Sequence, residues 1–191
     1  MEKQIEFYFD IVSPYSYIAS MLIEDVARQG NAKVIWKPFL LGGVFNAVGT
    51  TDPPGLNPTK KPYLLKDLQR LSRHLKIPIK MPTDFPVRTV LAMRTLCGFN
   101  ADEIPQAAHT LYKAYWVNNQ DIADPDVVGS LVGRESVERA GIQEIKDSLF
   151  KSTAEAVQRG AFGAPTFFVK DEMFFGHDRL HLLELHLSGQ I

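Results

Sequence analysis

Cysteine is nearly absent from this sequence. Cys97 is the only one among 191 residues, which excludes an internal disulfide and any metal site built from several thiolates. Redox or thiol chemistry at this protein would need a sulfur brought by another molecule. An excess of one charge is also lacking. The 21 Lys and Arg residues against 22 Asp and Glu leave a formal net charge of −1, so there is no overall basic field to attract nucleic acid or an anionic membrane. Long apolar runs are missing too. No stretch approaches the roughly 18 unbroken apolar residues of a membrane span. The opening MEKQIEFYFDIVSPY alternates charged and apolar residues, where a secretory leader needs an apolar core. These absences predict a cytoplasmic protein and leave open small neutral or locally recognised partners.

Apolar residues make up 45% of the chain, enough for a substantial core in one domain, or in one domain carrying a sizeable insertion. Residues 4 to 12 alternate with the period of a β-strand, with Ile5, Phe7, Phe9 and Ile11 on one face and Gln4, Glu6, Tyr8 and Asp10 on the other. The pattern then breaks at Ser13-Pro14. A hydroxyl N-cap followed by a proline, whose missing N–H costs nothing at the first helical position, starts a helix. This helix is expected to run to about Gln29 and to bury Ile18, Met21, Leu22 and Val26, before a second strand over Lys33 to Trp36.

From about residue 57 the period turns helical. Leu64, Leu68, Leu71 and Leu75 line one stripe, and Ile104, Ala108, Leu111 and Tyr115 line another. Asp124-Pro125 starts a further helix by the same cap-then-proline logic, and Ile142, Ile145 and Leu149 mark the face of the next. Proline joints stand at Pro78, Pro82 and Pro86. Strands then return as a hairpin, Thr166 to Val169 and Met173 to Phe175 around Lys170-Asp171-Glu172, and Asp178 is expected to cap a last helix burying Leu180, Leu183 and Leu187. The order β-α-β, helical block, β-β-α predicts an α/β protein of thioredoxin-like type. Residues 1–56 and 157–191 would form the thioredoxin-like domain, and residues 57–156 an all-helical insertion domain packed on it as a lid.

Three segments in order carry a family likeness: FYFDIVSPYSYIAS at the first strand and helix, Gly163-Ala164-Pro165-Thr166 before a late strand, and the closing FFGHDRL. With the FLLGGVFNAVG segment between them, the chain resembles the 2-hydroxychromene-2-carboxylate isomerases and the related kappa-class glutathione transferases, of the DsbA-like branch of the thioredoxin fold. The likeness extends over nearly the whole chain. In that branch a Cys-x-x-Cys pair sits where the first strand meets the first helix, and here Ser13 and Ser16 hold its two places. A hydroxyl cannot form a disulfide, so dithiol exchange is excluded at these residues. What the resemblance implies instead is a bound thiol, glutathione, as cofactor.

The resemblance further implies that Ser13, the catalytic residue, donates a hydrogen bond to the glutathione sulfur, although the same Ser-Pro pair also suits a plain N-cap. It implies a cis peptide bond before Pro165, with the Ala164 backbone pairing with the cysteinyl residue of glutathione as an added strand. Asp178 and Arg179 would meet the γ-glutamyl end; Asp178 as a plain N-cap is compatible with that. Lys61 and Thr50 would serve the glycyl carboxylate, with Thr50 standing where relatives carry asparagine. The implied reaction is cis/trans isomerisation of an aromatic enone acid in the breakdown of naphthalene-like compounds. A kappa-type transferase or peroxidase, and a non-catalytic peptide-binding protein, are the alternatives, and a homodimer is compatible with all three. His177 and His181 have the i, i+4 spacing of a metal pair but no further ligands, so no metal is expected. Tyr115-Trp116 and the loop to Asp124 would lie over the site, either lining the substrate pocket or packing in the core. Cys97 lies in an apolar helical segment and reads as inert.

Overall fold

The computed structural model describes residues 3–53 and 55–191. Its centre is a four-stranded sheet made of β1 (Lys3–Phe9), β2 (Ala32–Pro38), β3 (Thr166–Val169) and β4 (Glu172–Phe175), in the order β2-β1-β3-β4. β1 pairs parallel with β2 and antiparallel with β3, and β3 pairs antiparallel with β4. The parallel pair requires a crossover, which two short helices supply: α1 (Pro14–Ser20) and α2 (Ile23–Gln29). The single helix expected to reach Gln29 is therefore interrupted. The N–H groups of Met21 and Leu22 reach back only three residues, to the carbonyls of Ile18 and Ala19, and the Ser20 hydroxyl competes for the Tyr17 carbonyl at 2.7 Å.

Between β2 and β3 the chain is helical: α3 (Leu41–Val48), α4 (Lys61–Leu75), α5 (Val90–Cys97), α6 (Ile104–Trp116), α7 (Pro125–Val132), α8 (Arg134–Arg139) and α9 (Gln143–Gln158). The chain closes with α10 (Leu180–Leu187). Asp124 caps α7 as its sequence predicts, accepting the Asp126 N–H. Asp178 does not cap the last helix. It lies inside a 3-10 turn, His177–Arg179, and its carboxylate pairs with Arg179 at 2.7 Å. The two-residue link Lys170-Asp171, with Lys170 left-handed at φ 54°, closes the β3–β4 hairpin.

Both faces of β1 are covered, which an alternating strand does not by itself disclose. Ile5, Phe7 and Phe9 face a core that includes residues of α1, α2, α6 and α10, where Phe9 meets Trp36 edge-on at 5.3 Å and Tyr17 meets Tyr112 at 5.4 Å. On the opposite face Tyr8 and Phe168 pack with Phe39, Val44 of α3 and Ala156 of α9. Glu6, on that second face, keeps company with Lys37 and Arg159, the latter at 2.6 Å. Asp10, just past the strand end, is 1% exposed.

Candidate active site

The loop leaving β1 turns sharply into α1. The Ser13 N–H donates to the Asp10 carbonyl at 3.0 Å, and Ser13, in extended conformation, caps α1 by accepting the Ser16 N–H on its hydroxyl oxygen at 3.1 Å. The remaining hydroxyl proton points to a second chain segment, donating to the Ala164 carbonyl at 3.1 Å. The Ala164-Pro165 bond is cis. Pro165 in turn accepts the Gly176 N–H at 3.0 Å, so the three segments that carried the likeness in the sequence are hydrogen-bonded neighbours. Gly176 has a left-handed φ of 98°, which favours glycine, and a Cβ there would push aside the Asp178 carboxylate, whose Oδ1 would lie 2.5 Å from it.

Beside this junction is a cavity of about 960 Å³, at the upper end of the range for small-molecule sites. Its wall includes the apolar side chains of Leu41, Phe45, Leu64, Phe85, Phe162 and Phe175. Of the residues singled out in the sequence, Ser13, Thr50, Ala164 and Asp178 lie on this wall, whereas Lys61, Pro165 and Arg179 do not. Ser16, at the second cysteine place, is fully buried and is not on the cavity wall, its hydroxyl without a partner among the described residues. Tyr115 and Trp116 are buried in the core and lie off this cavity. The Trp116 indole N–H holds the Ile11 carbonyl at 2.7 Å, and Tyr115 OH donates to the Asp84 carbonyl at 2.9 Å. They shape the loops around the site from behind. Cys97 is half-buried, and loss of hydration pushes its thiol up to about 12.

Several residues of the site escape a reading of sequence alone. The Asp10 carboxylate, on the cavity wall, accepts the N–H of Val12 at 3.2 Å and that of Leu41, the first residue of α3, at 2.9 Å. Burial pushes its pKa up to about 6, and these hydrogen bonds offset only part of the desolvation. Tyr15 donates to Asp67 of α4 at 2.9 Å and stacks flat on His177, with centroids 4.9 Å apart. All three line the cavity, joining α1, α4 and the 3-10 turn across its rim. Burial lowers the His177 pKa, which favours a neutral ring. The signals in the sequence were the carboxylate placed by strand alternation three residues before the Ser13 cap, and the positions of Tyr15 and His177 inside two of the segments that carry the likeness. Among the described residues no group of three or more His, Cys, Asp or Glu could hold a metal, and no helix is long and apolar enough to cross a membrane.

A family model described as a DSBA-like thioredoxin domain matches residues 4–188. Glutathione S-transferase kappa 1 of Homo sapiens is 30% identical, the match covering 100% of this chain and 92% of the relative. A 2-hydroxychromene-2-carboxylate isomerase of Sphingobium xenophagum is 28% identical, over 98% of this chain and 99% of its own length. A solved 2-hydroxychromene-2-carboxylate isomerase structure superposes with a TM-score of 0.86 at 25% identity, covering 98% of this chain and 95% of that one. The expected thioredoxin-like fold with added helices is thus found.

Proposed function

The chain belongs to the DSBA-like thioredoxin domain family, and from that premise we propose that it is a cytoplasmic, glutathione-dependent isomerase of the 2-hydroxychromene-2-carboxylate type, acting on an aromatic enone acid in the breakdown of naphthalene-like compounds. The observation that carries this reading is the Ser13 hydroxyl, 3.1 Å from the Ala164 carbonyl and on the wall of a large apolar cavity. The hydroxyl proton can turn from that carbonyl to a sulfur. The carbonyl is then free to accept the cysteinyl N–H of a glutathione laid along residues 163–165. Asp178, on the same wall, suits the γ-glutamyl ammonium.

A thiol of ordinary pKa, about 8.5, is mostly protonated at neutral pH, so a donor that stabilises the thiolate raises the reactive fraction. The thiolate adds to the conjugated carbon of the enone. A C–S bond forms, the carbon–carbon double bond becomes single, and the electron pair moves to the carbonyl oxygen as an enolate. Rotation about the new single bond, followed by return of the electron pair and cleavage of the C–S bond, gives the trans enone and the same thiolate. Glutathione is not consumed.

Ser13→Ala tests the assignment. Loss of a charge-assisted hydrogen bond, worth about 1.5–3 kcal/mol, should lower glutathione-dependent turnover of a conjugated aromatic keto acid about 10- to 100-fold. Full turnover by this variant would refute the role of the hydroxyl. Calorimetry that finds no heat on adding millimolar glutathione to the wild-type protein would refute the whole reading. The 30% identity to a kappa-class transferase favours a second reading, in which glutathione disappears into a conjugate during turnover instead of being returned.

A further inference from the structure

We propose that Arg88 is the carboxylate anchor of the cavity, a role that neither Lys61 nor Arg179 is placed to fill. The proposal deepens the reading of the site as one for glutathione and an aromatic acid, and rests on it. Both of those molecules carry carboxylates, and a carboxylate brought into an apolar cavity needs a cation or several donors to replace its water. Arg88 is the only Lys or Arg on the cavity wall among the described residues. Its competitors are accounted for elsewhere: Lys61, the first residue of α4, lies off the wall, and Arg179 is tied to Asp178. His177, also on the wall, has its pKa lowered by burial and supplies no fixed charge at neutral pH. Among the described residues Arg88 itself makes no ion pair.

The backbone that carries Arg88 is held in place. The buried Tyr115 hydroxyl donates to the Asp84 carbonyl at 2.9 Å and accepts the Val87 N–H at 3.3 Å, clamping the turn just before Arg88. Thr89, next in sequence, is 6% exposed, lines the cavity and faces the Asp10 carboxyl. Asp10 in turn accepts the Ser13 N–H on its carbonyl. Arg88 is itself exposed where it lines the cavity, on a backbone linked to the Ser13 loop through Thr89 and Asp10, so its planar fork can stay hydrated until it grips a carboxylate with two parallel hydrogen bonds. Two sources offer that carboxylate: the glycyl end of glutathione, or the acid group of the aromatic substrate.

Arg88→Gln and Arg88→Lys distinguish them by calorimetry on four probes: glutathione, its glycyl amide, 2-naphthoate and 2-naphthamide. Arg88→Gln should weaken at least one of the two carboxylates about 10- to 100-fold while leaving its uncharged counterpart unchanged, and Arg88→Lys should keep part of the loss at bay. A loss on glutathione assigns the glycyl end, and a loss on naphthoate assigns the substrate. Unchanged binding of both carboxylates, or an equal loss on acid and amide, overturns the proposal, as does a wild-type protein that binds neither carboxylate. If the wild-type protein binds naphthoate but not glutathione, the glutathione reading fails while Arg88 stands or falls on the naphthoate pair.

Discussion

Replacing Asp10 with asparagine should remove a pH dependence from the stability of this protein. The Asp10 carboxyl is 1% exposed and accepts two backbone N–H groups, from Val12 and Leu41, yet burial raises its pKa from 3.8 to about 6. A carboxyl with a folded pKa above its unfolded value binds its proton more tightly in the native state. Its contribution is therefore fully present below about pH 4 and is lost as pH rises through about 6, where the native chain must carry a buried carboxylate. A shift of about two units corresponds to about 3 kcal/mol. Asparagine holds a neutral group at every pH. It keeps one acceptor but sets an amide NH2 against the other backbone N–H, a pH-independent cost of about 1–3 kcal/mol.

Urea unfolding of both proteins between about pH 4 and pH 8 reads the difference directly, because every other titrating group is common to the pair and cancels to first order. At the acid end the wild type should be the more stable. Across the range the variant should gain about 2–3 kcal/mol relative to it, most of it between about pH 4 and pH 6, where the unfolded carboxyl is ionised and the native one still holds its proton. A flat difference would show that Asp10 does not titrate differently in the two states. A difference of opposite sign would show that the Val12 and Leu41 N–H groups outweigh desolvation and hold the carboxylate below its ordinary range.

Trp116→Phe deletes the donor to the Ile11 carbonyl inside the core, and orphaning that acceptor should cost about 1–3 kcal/mol in chemical denaturation. A change of only a few tenths would mean that the loop before Ser13 does not depend on the indole. Gly163→Ala places a Cβ 2.8 Å from the Phe175 ring, so the ring must swing within the cavity beside Ala164. Calorimetry should find glutathione binding weakened with little loss of thermal stability, since Phe175 is 39% exposed and free to move. Unchanged affinity would place the ligand away from this wall.

Much of the architecture was legible because its causes are local. Strand alternation from Ile5 to Phe9, the cap-then-proline starts at Ser13-Pro14 and Asp124-Pro125, and the leucine stripe of α4 all follow from dihedral preferences and from the period at which side chains recur on one face. Where local preferences compete, tertiary contacts decide the outcome. The helix after Ser13 breaks at Met21-Leu22 through three-residue hydrogen bonds and a serine back-bond, and Asp178 takes Arg179 as partner instead of capping α10.

The site divides along the same line. A hydroxyl at the start of α1 and a glycine-alanine-proline turn before β3 could be found from residue types and order alone, since each is a short-range backbone device. That the Ser13 hydroxyl meets the Ala164 carbonyl, that α3 and α9 close the second face of β1 and bury Asp10 nearby, and that Arg88 rather than Lys61 reaches the cavity wall are long-range facts. They depend on which helices pack over which face of the sheet. Burial and the charge it perturbs are properties of that packing, and no window of neighbouring residues contains them.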